Sequence, residues 1–294
     1  MTTLADGIWQ QMFNFDHYGE LLALVRNSLV VGAALGLVGG LAGVFVMMRD
    51  LPFAVHGISE LSFAGASAAL LLGTNIVAGS ITGSLLAAAA IGVLGTRARD
   101  RNSVIGIIMP FGLGLGVLFL ALYKGRAANK FGLLTGQIVA VDTPQTTWLL
   151  ATSAVVLAAL AVMWRPLTFA STDPDVAAAR GVPVRALSLA FMLVLGLAVA
   201  LSVQIVGALL VLSLVVTPAA AAARVTASPV LLPLLSVVFA VASIEGGILL
   251  ALGSSIPISP YVTTISFLLY VVCRLAGRRR SRRWGVRAAT SQPA

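Results

Sequence analysis

Long apolar runs alternate with short charged segments along the whole chain. Long stretches without Asp, Glu, Lys or Arg recur, among them 27–48, 61–96, 104–122, 146–164, 186–223 and 246–273. A helix needs about 20 apolar residues to cross the hydrocarbon core of a bilayer. The runs lack the period-two alternation of apolar and polar residues that membrane strands show. The pattern therefore predicts an all-α polytopic integral membrane protein.

We predict nine membrane spans, at about 24–47, 54–73, 76–95, 104–123, 146–164, 186–204, 206–223, 230–251 and 258–275. In an alternative with eight spans, 186–223 forms one broken or re-entrant unit. Basic residues orient the spans, because cytoplasmic loops carry an excess of Lys and Arg. With the N-terminus outside, five basic segments lie on the cytoplasmic side. They are Arg49, residues 97–101, the loop that contains Arg165, Arg180 and Arg185, Arg224, and the C-terminal tail. One basic segment, 123–130, falls on the outer side.

Composition fits a membrane protein, since 59% of the residues are hydrophobic and 10% are charged. The net charge of +9 does not indicate nucleic-acid binding, because the basic residues lie between spans and in the tail.

We divide the chain into an amphipathic, interfacial segment at 1–23, a transmembrane domain at 24–275 and a basic cytoplasmic tail at 276–294. The first segment lacks the basic region of a cleaved signal peptide.

A short helix is predicted in the cytoplasmic loop, where residues 171–181 read STDPDVAAARG. A loop around Pro166 precedes it. Its residues follow the order of a complete helix, with a cap at Ser171 or Thr172, Asp173, Pro174 and Asp175 at its start, Ala178 inside, and Arg180 and Gly181 at its end. A helix this short is not stable alone. It therefore docks either on a soluble partner or against its own membrane domain.

Two ionisable residues interrupt the apolar segment FAVHGISELSFAGASAALLLG at 53–73. His56 and Glu60 are four positions apart, so on a helix they share one face. Imidazole suits zinc and similar transition metals, and a carboxylate accepts them too. The pair indicates an ion path, because ionisable groups inside a membrane are costly and usually functional. The alternative is a polar pair that hydrogen-bonds to neighbouring helices.

Three further residues are candidates inside the spans. Glu245 could line the same pathway or pair with an arginine at the membrane edge. Gln204 could face the translocation route, although hydrogen bonds between helices are the more common role of such residues. Pro218 predicts a helix bend, since a proline inside a span leaves a carbonyl free.

Six segments, taken in order, resemble the permease subunit of the ABC transporters that take up zinc, manganese or iron. They are FAVHGISELSFAGASAALLLG, IGIIMPFGLGLGVLFLALY, FGLLTGQIVAVD, STDPDVAAARGVPV, VGALLVLSLVVTPAAAAA and SSIPISPYVTTISFLLYVV. Together they bracket most of 53–272. Within that family the chain resembles the actinobacterial zinc type.

The resemblance implies a homodimer of permeases in a bacterial cell membrane. The charge pattern places the N-terminus outside and the C-terminus in the cytoplasm. A cytoplasmic ATPase subunit would bind below, and an extracytoplasmic metal-binding protein would deliver the ion. The short helix, at about 171–182, would be the coupling helix that contacts the ATPase. The chain has no GxxxxGK[ST] motif, so the resemblance leaves ATP hydrolysis to the partner. The permease itself would be no enzyme and would hold no permanent cofactor.

The resemblance also marks a departure at the polar pair. In the family, an acid typically stands at the position of His56 and a histidine at that of Glu60. Here the order is reversed, so the ligand types are kept while their geometry can differ. The histidine favours zinc as the transported ion, with manganese as the alternative.

Two other functions compete with import of a bare ion. The same architecture could import an iron chelate, although a large organic ligand would need a wide apolar cavity rather than ligating side chains. A secondary transporter without an ATPase would explain His56 and Glu60 but not the short cytoplasmic helix. The inverted repeat that is typical of such transporters is not evident in the sequence.

Overall fold

The computed structural model describes residues 25–95, 98–125, 132–134, 136, 143–252 and 257–290, together with Gly19 and Leu22. All regular secondary structure in these residues is helical. The helices are α1 (Arg26–Met48), α2 (Pro52–Leu72), α3 (Ile76–Leu94), α4 (Ala98–Leu122), α5 (Thr143–Thr172), α6 (Pro174–Ala179), α7 (Val184–Val206), α8 (Val211–Val215), α9 (Thr217–Val225), α10 (Leu231–Leu252) and α11 (Ile258–Thr290), with a 3₁₀ turn at Ala208–Leu210.

Eight helices in the described part of the chain are long and apolar enough to cross a membrane, and they are α1–α5, α7, α10 and α11. The predicted all-α polytopic fold is therefore confirmed. In α1 and α7, 67% and 72% of the most apolar stretch is buried, against 22% in α4 and 28% in α5. Helices α1 and α7 thus form the centre of the bundle, and most of the surface of α4 and α5 faces outward.

The predicted span at 206–223 is not one continuous helix. Gly207 has φ +84°, in the left-handed region, and ends α7. An added Cβ on Gly207 would lie 2.2 Å from the carbonyl oxygen of Leu134, so only glycine fits there. The 3₁₀ turn, α8 and α9 follow, and Pro218 lies in the first turn of α9, where its missing N–H costs nothing. We call residues 207–225 the broken segment.

The broken segment runs parallel to α11. The Ser259 hydroxyl donates to the Val206 carbonyl at 2.6 Å, and the Ser266 hydroxyl donates to the Ser213 carbonyl at 2.8 Å. Both pairs are 53 residues apart in sequence. Further along, Arg224 donates to the hydroxyl of Tyr270 at 3.2 Å. The broken segment therefore accompanies α11 from its first turn through most of its apolar length.

Three arginines from separate parts of the described chain lie together at one end of the bundle. Arg49, Arg101 and Arg185 line a single cavity there. Helix α7 begins at this end of the bundle, and the broken segment runs back toward the same end beside α1. An added Cβ on Gly39 would lie 3.3 Å from the Leu214 carbonyl oxygen. One on Gly43 would lie 3.3 Å from the Ala219 Cβ. Arg224 thus lies at the same end as Arg49, as the predicted charge pattern requires.

Small residues bring α2 and α3 into backbone contact. An added Cβ on Gly65 would lie 2.1 Å from the carbonyl oxygen of Gly79, and one on Gly83 would lie 2.1 Å from that of Leu61. Backbones can approach this closely only where side chains are absent. The contact fixes α2 against its neighbour, which matters because α2 carries His56 and Glu60.

The predicted loop around Pro166 is wrong, because α5 continues as a helix through Pro166 to Thr172. The hydroxyl groups that suggested a loop donate to carbonyls of their own helix. Thr168 donates to Trp164, Ser171 to Leu167 and Thr172 to Thr168, at 2.6–2.9 Å. Ser and Thr side chains whose hydroxyl groups donate to a carbonyl one turn earlier are compatible with a helix interior. Ser171 and Thr172 are therefore not the cap of the next helix.

The short helix predicted at 171–182 is α6, and Asp173 is its N-cap. Gly181 follows its end with φ +85°, as predicted for a terminating glycine. At the other boundaries, most of the predicted interfacial segment 1–23 lies outside the described residues. The predicted tail boundary at 275 falls inside α11, whose backbone helix extends to Thr290.

Gly65→Val is expected to destabilise the protein by about 1–3 kcal/mol or more, because a side chain there overlaps the α3 backbone. Gly114→Val is the matched control, since an added Cβ at Gly114 meets nothing within 4 Å. Thermal melting of both purified variants in detergent measures the difference. Equal melting temperatures would show that close contact of α2 and α3 does not hold the fold together.

Candidate functional site

His56 and Glu60 meet on one face of α2. Pro52 starts the helix, so these two residues fall in its second and third turns. The His56 Nε2 atom lies 3.6 Å from the Glu60 Oε1 atom. The Glu60 side chain is only 4% exposed, while that of His56 is 26% exposed. The pair therefore presents one accessible imidazole beside one enclosed carboxylate.

The Glu60 carboxylate can accept a further hydrogen bond or bind a cation. Its Oε2 atom is buried and has no hydrogen-bond partner among the described residues. A buried carboxylate oxygen without a donor is costly, so such an atom suits a cation that arrives from elsewhere. Together with the imidazole, it offers nitrogen and oxygen ligands of the kinds that transition metals accept.

Contacts with α3 and α4 hold α2 in place around the pair. The hydroxyls of Ser62 and Ser80 are 2.7 Å apart and link α2 to α3. On the other side, an added Cβ on Gly112 would lie 2.9 Å from the Glu60 carbonyl carbon. An added Cβ on Gly116 would lie 2.3 Å from the ring of Phe63. These contacts fix the backbone of α2 on both sides of Glu60.

The structure does not gather all the predicted pathway residues at one point. Glu245 lies between α10 and α1, where an added Cβ on Gly32 would be 2.9 Å from its Oε1 atom. Gln204 lies in the last turn of α7. The Oε1 atom of Glu245 and the Nε2 atom of Gln204 are buried without described hydrogen-bond partners. Among the described residues, no third His, Cys, Asp or Glu completes a metal-binding group.

The short helix α6 is fixed from within and exposed on its outer side. The Asp173 carboxylate accepts a hydrogen bond from the Val176 backbone N–H at 3.0 Å. Ala177 is fully buried and faces the neighbouring helices α5 and α7. The residues predicted to contact a partner are all exposed, and they are Asp173, Pro174, Asp175, Ala178, Arg180 and Gly181. The helix thus rests on its own membrane domain and still offers a free surface.

Sequence reasoning missed the residues that position the pair. Gly112 and Gly116 were recognisable as small residues suited to helix packing, but nothing in the sequence says that they face Glu60 and Phe63. The Ser62–Ser80 contact joins two helices through side chains that are common in membrane spans. No local signal distinguishes these serines from others.

Comparisons with known proteins place the chain in a family. The model of the ABC 3 transport family matches residues 22–276. The manganese import system permease protein ScaB of Streptococcus parasanguinis is 30% identical over 223 residues, which cover 76% of this chain and 75% of that protein. The high-affinity zinc uptake system membrane protein ZnuB of Haemophilus influenzae is 26% identical over 253 residues, which cover 86% and 97%.

Solved structures give the same architecture. PsaBC from Streptococcus pneumoniae in complex with Fab matches with a TM-score of 0.78 at 24% identity, over 88% of this chain and 95% of that one. An inward-facing putative metal-chelate type ABC transporter matches with a TM-score of 0.65 at 21% identity, over 92% and 89%. These likenesses establish the fold, and the family model covers nearly all of the apolar part of the sequence. The chain belongs to the ABC 3 transport family.

Proposed function

We propose that this chain is the permease subunit of an ABC importer for divalent transition metal ions, with zinc as the favoured ion. The observation that carries the proposal is the His56–Glu60 pair, with its unpaired carboxylate oxygen inside a membrane helix. The similar permeases named for manganese and for zinc support the class of cargo. They do not separate the two metals, and the imidazole favours zinc, which also ranks above manganese in affinity for such ligands.

The pair supplies two ligands, so a second copy of the chain would complete a four-coordinate ion. Two α2 helices facing each other across a dimer axis would offer two imidazoles and two carboxylates. That set suits zinc, although a site that must release its cargo is expected to bind more weakly than a structural zinc site. The reversed order of His56 and Glu60 relative to the family keeps these ligand types.

Energy for transport would come from a separate ATPase subunit bound to α6. The chain contains no P-loop motif, and the exposed side of α6 provides a surface for that partner. ATP binding would move α6 and, through α5 and α7, rearrange the helices around the ion path. An extracytoplasmic metal-binding protein would deliver the ion at the opposite end.

The arginine-rich end of the bundle is proposed to face the cytoplasm. The positive-inside tendency favours this orientation, because Arg49, Arg101, Arg185 and Arg224 lie at that end. The broken segment then serves as the ninth crossing beside α11. The N-terminus would lie outside, with 1–23 at the membrane surface, 24–275 as the permease domain and 276–294 as a basic tail in the cytoplasm.

His56→Ala combined with Glu60→Ala is expected to reduce metal uptake about tenfold or more, because both ligand types are lost. Uptake of radioactive zinc and manganese is measured in cells that lack their own copy of the gene. The variant His56→Glu combined with Glu60→His restores the ligand set in reverse order and is expected to keep substantial uptake. The preferred metal is the one whose uptake falls further in the alanine variant.

Ser67→Ala is the control for this experiment, since it removes a buried hydroxyl without a described hydrogen-bond partner from the same helix and leaves both ligands in place. It is expected to transport normally at matched expression. Normal uptake in the double alanine variant would mean that His56 and Glu60 form only a structural polar pair.

Asp173→Ala is expected to uncouple the ATPase, because it removes the α6 N-cap and costs about 1 kcal/mol of local stability. Asp173→Asn retains a capping side chain and is expected to stay coupled. The readout is metal-dependent ATP hydrolysis by the reconstituted complex. If Asp173→Ala behaves like the intact chain, α6 does not need its cap to transmit motion.

A further inference from the structure

A cavity of about 360 Å³ opens at the arginine-rich end of the bundle. Three parts of the chain that are distant in sequence build it, and they are the residues at the end of α1, the end of α3 with the first turn of α4, and the start of α7. Each contributes one arginine, and these are Arg49, Arg101 and Arg185. No Asp or Glu is among its described lining residues. The described lining residues therefore concentrate three positive charges without an acid among them.

The arginines retain unused hydrogen-bond donors. One Arg49 nitrogen donates to the Ser188 hydroxyl, and its guanidinium lies 5.7 Å from the centre of the Phe191 ring. Its Nη1 atom is buried without a described partner, as is the Nε atom of Arg101. Burial, and then the charge of Arg101, lower the pKa of Arg49. An arginine nevertheless stays protonated, so a bound anion would relieve this repulsion.

The remaining wall of the cavity is apolar. Leu51, Ile91, Val184, Phe191 and Met192 contribute side chains, and Gly92 and Gly95 contribute bare backbone. An added Cβ on Gly95 would lie 2.8 Å from the Arg101 Cβ, so the glycine lets this arginine fold close to the end of α3. A free inorganic ion prefers polar surroundings on all sides. A phosphate attached to an apolar body fits this mixed lining better.

We propose that this cavity binds a phosphate group, and that its source is the headgroup of an anionic phospholipid. Guanidinium groups are suited to phosphate, because their donors match its oxygens in pairs. Basic pockets between membrane helices on the cytoplasmic side are typical sites for anionic headgroups. Val184, Arg185 and Ser188 line the cavity at the start of α7, which four residues separate from the end of α6, so an occupied cavity would also brace this start.

Native mass spectrometry of the purified chain tests the proposal, with phosphatidylglycerol and phosphatidylcholine titrated separately in detergent. Arg101→Gln and Arg185→Gln are each expected to weaken phosphatidylglycerol binding about fivefold, which is the effect of one arginine near an anionic lipid. Arg185 is exposed, so its loss does not threaten folding. Arg165→Gln is the control, because it removes one charge from an exposed position outside the cavity.

Preferential binding of phosphatidylglycerol that falls in both cavity variants, but not in the control, supports the proposal. If millimolar inorganic phosphate displaces the lipid, the cavity binds free phosphate. That result overturns the phospholipid as the source of the phosphate group but not the binding of phosphate. Equal binding by all variants overturns the proposal. Normal lipid binding with loss of ATPase assembly in the cavity variants also overturns it, in favour of an acidic protein surface as the occupant.

Discussion

The hydrocarbon core of a membrane offers no hydrogen bonds, and this constraint governs how every buried polar group is arranged. Most serines inside the bundle meet it by donating to a backbone carbonyl, as Ser236 does to Gly40 at 2.7 Å and Ser259 to Val206 at 2.6 Å. Glu60, Glu245 and Gln204 do not meet it, because each has a buried polar atom without a described partner. Glu60 also has the His56 imidazole 3.6 Å away, and this combination is the physical basis for proposing an ion path at α2.

The same constraint explains where the chain leaves regular helix. Irregular backbone at membrane depth is tolerated only when it is enclosed by protein. The broken segment fulfils this condition, because α11 lies along one side of it and α1 along another. Gly207 turns the chain where the Leu134 carbonyl approaches too closely for any side chain. We propose that this element of short helices rearranges when ATP binding moves α6 and α7.

The sequence predicted what depends on local pattern and missed what depends on distant contacts. Apolar runs located the eight long helices, and the four-residue spacing identified His56 and Glu60. A boundary between 204 and 206, or a broken unit at 186–223, was predicted, but the division of 206–223 into short helices was not. The contact with Leu134 that requires glycine at 207 is not visible in the local sequence. Helix α5 was predicted too short, since the in-helix hydrogen bonds of Thr168, Ser171 and Thr172 are not visible in composition. The arginine cavity joins positions too far apart in sequence to be associated beforehand.

The central claim is that His56 and Glu60 bind the transported ion directly. X-ray absorption at the zinc edge tests it most directly, on the intact chain and on His56→Ala, each purified with its ATPase partner and loaded with zinc. The account predicts an imidazole nitrogen at about 2.0–2.1 Å from zinc in the intact chain, and loss of that signal in the variant. An unchanged spectrum in His56→Ala would contradict the account, because the ion would then bind elsewhere.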